Sequence, residues 1–384
     1  MNELEDFINL DCFELASNDA SSSSFGWNFQ SNAGIFLFLK FSKKVESIKV
    51  ESSKQDIELT LKGDCKKIYA QAKSSQDYTS ATDSKEKMKD AIVSLSKTFS
   101  ANSEGCFVYI SNLPNTLNTE DGVTKNQIVN YQSFGQATRD EIDSLFDGLI
   151  LSNKKKINDD KTEQKMKNKL KNINKLVASF DKSKLYISTI CPYIGDDSTR
   201  YKVIREELLS FLVYELNIDY SKSSIICNRV LEHWQNRFQH NSTIKDSIKD
   251  SLIKDMKTKD LIWPILIIAS DLEGSTISED CFDIYPDENV IDEAKKKITE
   301  SLMLDCNRYE FTNKLSKAYK DYRKKNPGGG AITSFVRNKW DIFKPDLRDD
   351  KLDDETNECL IKIVIYKLLR QINTIDSVSV WLEV

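Results

Sequence analysis

The chain has 384 residues, of which 39% are hydrophobic and 10% aromatic, so it can bury sizeable cores and is not a disordered polypeptide. This length favours two domains over one compact core. The formal net charge of -5 argues against a protein that coats nucleic acid by charge alone, although a local basic patch is compatible with that value.

Several other classes are disfavoured by the sequence. No apolar stretch reaches the ~18–20 residues that a membrane-spanning helix needs, and the acidic start of the chain, Met1 to Asp6, is unlike a secretory signal. The 8 cysteines include no CxxC or CxxH pair, which disfavours structural zinc and indicates reduced thiols. With only 2 histidines, His233 and His240, histidine-based catalysis is nearly excluded. We therefore expect a cytoplasmic protein that does not enter the membrane.

The first third of the chain predicts the order helix–strand–strand–strand–helix–strand. Period-two alternation indicates the first strands, and apolar residues at helical spacing indicate the second helix. A continuous apolar run is typical of a buried central strand. The predicted elements are a helix from Ser23 or Ser24 to Leu39, strands at Ser47–Glu51, Asp56–Leu61 and Lys67–Lys73, a helix at Ser84–Phe99, a strand at Cys106–Ser111 and a further strand at Lys184–Ile190.

After Asp196 the pattern changes to amphipathic helices. This change divides the chain into an α/β domain, residues 1–195, and a mainly α-helical docking or regulatory domain, residues 196–384. The predicted helices of the second domain are Thr199–Leu216, Ser221–Phe238, Thr243–Met256, Val290–Leu304 and Glu355–Ile372.

Asp56, Gln71 and Lys73 lie on two predicted strands and can meet at one divalent cation. Mg²⁺ prefers carboxylate, carbonyl and water oxygens. Asp56 offers a carboxylate, Gln71 an amide oxygen and Ala72 its backbone carbonyl. Because Lys73 is two residues after Gln71, both side chains point to the same face of the sheet. An ammonium group there can orient the attacking water or stabilise charge that develops on a phosphate.

Two residues are candidates for a second acidic ligand. Glu58 is two residues from Asp56 and shares its face, whereas Glu51 ends the preceding strand. We prefer Glu51. An acid followed by Gln-x-Lys is common by chance. The support for a metal site therefore comes from the prediction that these residues lie on adjacent strands.

An acid on one strand and Gln-x-Lys on a later one resembles the PD-(D/E)xK nucleases. More specifically, the stretch from Phe25 to Ser75 is similar to the double-stranded-DNA endonuclease domain of bacterial anti-phage effectors. The matching features are the helix start Phe25–Gln30, the acid-ended strand Val50-Glu51, Asp56-Ile57, Gln71-Ala72-Lys73 followed by Ser74-Ser75, and the strand Phe107–Asn112. One departure is Gln55, where relatives often carry a second acid.

The resemblance implies a restriction-endonuclease-like fold, a mixed sheet flanked by helices, with Mg²⁺ or Mn²⁺ at Asp56. It further implies cleavage of double-stranded DNA with little sequence specificity, and contact of Gln30 with nucleic acid. The chain looks most like the nuclease subunit of Lamassu-type defence systems. Such a subunit docks on an SMC-like ATPase complex with an accessory subunit, which holds it inactive until release and self-association, for example as a tetramer.

A lysine-rich segment, Asn153–Lys175, lies between the predicted strands Cys106–Ser111 and Lys184–Ile190. Charge runs usually form solvated helix faces, and we favour that interpretation here. If the chain is a nuclease, the segment also becomes a candidate for phosphate contacts. The residues concerned are Lys165, Lys167, Lys169 and Lys171.

Two alternatives stay open from the sequence. In the first, the chain is a nuclease that is controlled by a cyclic oligonucleotide bound to its second half. In the second, it is a catalytically silent scaffold. A nucleotide sensor would need a pocket rich in arginine and aromatic residues, although surface arginines and core aromatics explain the same residues more simply. The candidates for such a pocket are Arg200, Tyr201, Arg205, Trp234 and Arg237.

Overall fold

The computed structural model describes residues 20–52, 54–63, 66–76, 81–113, 117, 124–159, 161–244, 255–271, 277–301, 309–328 and 330–383. Over these ranges a mixed sheet with flanking helices is followed by a mainly helical region. The predicted fold class is confirmed at this level of detail.

The first half of the chain forms its elements in the predicted order, and the strands at Lys67–Lys73 and Cys106–Ser111 have the predicted bounds. The first helix begins slightly earlier than predicted, and Asp56 lies just before its strand instead of inside it. The elements are α1 (Ala20–Phe41), β1 (Val45–Val50), β2 (Ile57–Leu61), β3 (Lys67–Lys73), α2 (Ala81–Ala101), β4 (Cys106–Ser111), β5 (Ile128–Asn130), α3 (Gln136–Asn158), α4 (Gln164–Ala178) and β6 (Leu185–Thr189).

The sheet combines an antiparallel and a parallel half. Within the described ranges its order is β5-β6-β4-β3-β2-β1-β7, where β7 is Met256–Lys257. The hairpin strands β1, β2 and β3 are antiparallel, whereas β3, β4 and β6 run parallel. Lys73 pairs in register with Ser111. The carboxyl ends of three parallel strands therefore meet at one edge, which is where open α/β sheets bind ligands.

The second half of the chain is helical, as predicted, but it contains more helices than the sequence analysis gave, and two of the predicted helices end differently. Met256 does not end a helix, because it pairs with Ile48 in the sheet; residues 245–254 lie outside the described ranges. The helix predicted at Thr199–Leu216 ends in a π-helical turn, Phe211–Glu215. The helices are α5 (Asp197–Arg200), α6 (Lys202–Ser210), α7 (Tyr220–Thr243), α8 (Thr258–Asp271), α9 (Glu288–Ser301), α10 (Tyr309–Lys325), α11 (Ala331–Lys339), α12 (Lys344–Leu347), α13 (Asp354–Arg370) and α14 (Ile372–Glu383).

Residues 302–304, the end of the helix predicted at Val290–Leu304, also lie outside the described ranges. The apolar run Leu261–Ala269 forms most of α8 and is buried. None of the helices in the described part of the chain is long and apolar enough to cross a membrane.

The two faces of the sheet carry different cores. One face packs against α2 and α3 through aromatic side chains such as Phe107. The other face carries α1, which packs against the helical half; the rings of Phe38 and Trp234, for example, meet edge to face with centroids 5.5 Å apart. The division at residue 195 stays a prediction, but the hydrophobic core is continuous across it.

Candidate active site

Asp56 lies at the end of the turn that joins β1 to β2. The turn is closed by a hydrogen bond of 2.7 Å from the Glu51 amide to the Asp56 carbonyl. The Asp56 carboxylate reaches the neighbouring strand, where the backbone N–H of Ala72 donates to Oδ2 at 2.9 Å. The side-chain amide of Gln71 donates to the same oxygen. The structure thus brings together the acid and the Gln-x-Lys strand.

Gln30 approaches the same carboxylate from helix α1. Its side chain hydrogen-bonds to Asp56 and lowers the pKa of that carboxyl. The other end of the amide, Gln30 Oε1, is buried and has no hydrogen-bond partner among the described residues. A buried acceptor without a donor is costly for a protein. It is therefore suited to a ligand that supplies a positive charge or a proton.

The pKa of Asp56 is raised to about 6. Burial is the main cause, because it disfavours the charged form, and the negative charge of Glu51 acts in the same direction. The positive charge of Lys73 and the hydrogen bonds from Ala72 and Gln30 oppose this rise without cancelling it. A carboxylate held ionised at a buried position with too few compensating charges is a common feature of functional sites.

Glu51 and Lys73 flank Asp56 from the two adjoining strands. Glu51 has a φ of 54°, in the left-handed region that non-glycine residues seldom adopt. Such a conformation costs about 1–3 kcal/mol and is found mainly where the surrounding structure or the function requires it. Lys73 ends β3, so its ammonium group lies at the carboxyl edge of the parallel strands.

Glu58 occupies a different environment from Asp56. It pairs in register with Tyr69 of β3, and its buried carboxylate forms an ion pair with Lys67. Burial and then the charge of Glu58 raise the pKa of Tyr69 to about 12. This placement favours Glu51 over Glu58 as the second acid of the site.

Gln55, the position at which relatives often carry an acid, has a structural role in this chain. Its side-chain Nε2 donates to the carbonyl of Ser94 at 3.0 Å and to the hydroxyl of Thr98 at 2.8 Å, both on α2. The side chain is buried in these contacts. Gln55 therefore ties the turn before Asp56 to helix α2.

Two further residues act on the chain segment that follows Lys73. The buried Asn112, just after β4, accepts a hydrogen bond of 2.9 Å from the Ser75 amide and donates one of 2.8 Å to the Ser75 carbonyl. Lys87 of α2 donates to the carbonyl of Ser74 at 2.8 Å. The sequence showed Asn112 only as part of a resemblance, and Lys87 carried no signal because its role depends on how α2 packs.

The lysine-rich segment lies on the two helices α3 and α4, which pack against each other. Lys165, Lys169 and Lys171 are exposed and Lys167 is partly buried, as expected for a solvated helix face. The structure does not bring these lysines into any of the contacts described for Asp56. Their role in binding nucleic acid stays a prediction.

The residues proposed for a nucleotide sensor are placed on α5, α6 and α7. Trp234 is buried and its indole donates to the carbonyl of Leu261 at 2.9 Å, so it belongs to the core. Arg237 lies 3.8 Å from Asp260. The guanidinium group of Arg205 lies 5.9 Å from the ring of Tyr201. These contacts are those of core aromatics and surface arginines.

The donor set at Asp56 fits a hard divalent cation. The described residues contain no group of three or more His, Cys, Asp and Glu side chains that could hold a metal ion. Mg²⁺, however, needs only one or two carboxylates together with neutral oxygens and waters. Asp56 and Glu51 would supply the carboxylates, and the orphaned Gln30 oxygen or that of Gln71 and the Ala72 carbonyl would complete the set.

No family model, curated protein or solved structure matches the chain. Arguments about function therefore depend on the geometry around Asp56 and on the motif resemblance. What the geometry provides is a buried acid with a raised pKa, a lysine beside it and amide groups that orient it.

Proposed function

We propose that the chain is a metal-dependent endonuclease that hydrolyses phosphodiester bonds in DNA, with a restriction-endonuclease-like core. The observation that carries this proposal is the Asp56 carboxylate, which is bound by Gln71 and Ala72 of β3 and lies beside Lys73. The position of this group at the carboxyl edge of the parallel strands also favours a ligand site.

In this proposal each residue has a separate task. Asp56 and Glu51 hold Mg²⁺ or Mn²⁺, which when bound supplies Lewis acidity and a water of lowered pKa. Lys73 donates a hydrogen bond to the attacking water or to a phosphate oxygen, where it neutralises developing negative charge. Gln30 and Gln71 hold the Asp56 carboxylate in a fixed orientation. As water adds to phosphorus it loses a proton to solvent, the bond from phosphorus to the leaving deoxyribose oxygen breaks, and that oxygen takes up a proton from solvent.

The biological role that fits such an activity is that of an effector in bacterial defence against phages or plasmids. This step rests on the motif resemblance. We propose little sequence specificity, because reading a sequence needs a dedicated element that contacts the bases. The helical half would dock on an SMC-like ATPase complex, and release followed by self-association would activate cleavage.

The test is cleavage of supercoiled and linear double-stranded DNA with Mg²⁺ or Mn²⁺ across a series of protein concentrations. We expect wild type to cleave and Lys73→Ala to lose at least about a hundredfold in rate, since removing one preorganised charge commonly costs that much. Lys67→Ala is the matched control, because Lys67 lies on the same strand but pairs with Glu58. EDTA should abolish the activity.

A fully active Lys73→Ala variant would rule out the assigned site. Equal losses in Lys73→Ala and Lys67→Ala would indicate damage to β3 in place of a catalytic effect. A cleavage rate that rises more steeply than in proportion to protein concentration would support activation by self-association.

A further inference from the structure

An exposed tryptophan, Trp27, lies one helical turn before Gln30 on α1. The side chain of Trp27 is 62% exposed. Residues three apart on a helix share a face, with Cβ atoms about 5–6 Å apart. Helical side chains also lean towards the N-terminus, so the Gln30 side chain extends over the turn that carries Trp27. Since the Gln30 side chain reaches the Asp56 carboxylate, the helical spacing places Trp27 on the part of α1 that is next to the candidate active site.

The turn that carries Trp27 is held firmly on its other side. The rings of Phe25 and Phe29 meet Tyr193 edge to face, with centroids 5.8 and 4.9 Å apart. The side chain of Asn28 accepts a hydrogen bond from the Tyr193 hydroxyl. Trp27 is therefore exposed on an anchored turn and does not belong to a frayed helix end.

The backbone next to Trp27 leaves room for a nucleotide to approach. A Cβ atom added at Gly26 would meet no atom within 4 Å, so the packing of the protein does not require glycine there. Glycine destabilises a helix interior relative to alanine, and it leaves the backbone open to close approach.

We propose that Trp27 stacks on a nucleobase of the strand whose phosphate lies at Asp56 and Lys73. This inference rests on the proposed function for the position of that phosphate. Bases in an intact duplex cover each other's faces, so Trp27 gains its contact only where a base has left the stack. The preferred substrate is thus DNA with an unstacked base next to the scissile bond: a single strand, a frayed end or a flipped nucleotide. Single exposed apolar residues are common; Trp27 differs by its fixed position beside Gln30.

Binding is measured in EDTA, which prevents cleavage, by fluorescence anisotropy of a labelled single-stranded DNA oligonucleotide and of a hairpin duplex. Trp27→Ala should weaken single-strand binding about five- to a hundredfold, the usual effect of losing one base–aromatic stack. Trp27→Phe should keep affinity within about threefold of wild type, since a ring remains. Tyr214→Ala is the matched control, because Tyr214 is 82% exposed on the π-helical turn. A 2-aminopurine base in the strand should be quenched by wild type but not by Trp27→Ala.

Equal affinities of wild type and Trp27→Ala, equal losses on single strand and hairpin, or no binding by wild type would each overturn the stacking role. Failure of this inference can be told apart from failure of the proposed function. Cleavage that needs Lys73 but not Trp27 would leave the endonuclease in place without stacking. Binding that needs Trp27 in a protein that never cleaves would leave stacking in place without the endonuclease.

Discussion

At the scale of single residues, Asp56 lowers the stability of the fold as well as being the central residue of the candidate active site. Its pKa is raised to about 6 from 3.8, so the folded state holds a proton that the unfolded chain releases. The contribution of Asp56 to the free energy of unfolding is therefore fully present below about pH 4 and is lost as the pH rises through about 6. Above that range the buried charge is a net penalty.

Asp56→Asn should remove this penalty and keep the two hydrogen bonds from Gln71 and Ala72, because both of these groups donate to the same oxygen, Oδ2. We expect the free energy of unfolding of the variant to exceed that of wild type by about 1–2 kcal/mol at pH 8 and to equal it below pH 4. Urea unfolding at both pH values measures this, and cleavage should be lost in the same variant.

If Asp56→Asn is less stable than wild type at pH 8, the buried charge of Asp56 does not destabilise the folded protein. Glu58→Gln serves as the comparison, because it removes the charge of an acid that is compensated by Lys67. That variant should gain no stability at pH 8, since the charge of Glu58 is already compensated by Lys67, whose side chain is 36% exposed.

The sequence predicted part of this residue-level arrangement. Gln71 and Lys73 were found because period two fixes the face of a strand. The two-residue spacing of Asp56 and Glu58 predicted a shared face of one strand, which does not hold because Asp56 lies in the turn before β2 and only Glu58 lies in the strand. The contact between Gln30 and Asp56 depends on how α1 packs across the sheet, which no local pattern encodes.

At the scale of elements, asparagine side chains bind the segments that follow the carboxyl ends of two parallel strands, β3 and β6. Asn112 binds both the N–H and the carbonyl of Ser75, just after Lys73. Asn126 binds the N–H and the carbonyl of Cys191 in the same way, after β6. The first of these contacts fixes where β3 ends, and with it the position of the Lys73 ammonium group.

Asn112→Ala should therefore lower kcat about ten- to a hundredfold with little change in KM, because small misplacements of a catalytic group cost that much. Asn126→Gly is the matched control: it removes a similar contact and suits the φ of 58° at this position. Each variant should lose about 1–3 kcal/mol of unfolding free energy. Equal losses of kcat in both would assign Asn112 a general structural role.

The elements themselves were predicted best where the pattern was long or strictly periodic, as at β3, β4 and α2. Strand β7 was missed because two residues show no period, and its pairing with β1 depends on a chain segment about two hundred residues away in sequence. The π-helical turn at Phe211–Glu215 was missed because the i, i+4 spacing of Leu208, Leu212 and Leu216 continues through it unchanged.

At the scale of the whole molecule, the helical half completes the core on which the candidate active site depends. Helix α1 carries Gln30 and, about two turns further along, buries Phe38 against Trp234. The backbone N–H of Val50 donates to Asn241 at 3.1 Å, which ties β1 to helix α7. The two halves therefore share packing and hydrogen bonds at the elements nearest to Glu51 and Asp56.

A fragment of residues 1–195 should consequently fail to fold by itself, because the apolar side of α1 and the edge of β1 would face water. We expect a broad thermal transition and binding of a hydrophobic dye. Co-expression with residues 196–384 should restore a sharp transition and cleavage, since it supplies the missing face. A sharp transition and metal-dependent cleavage by the fragment alone would instead establish 1–195 as an independent domain, and would place the regulatory role entirely in the second half.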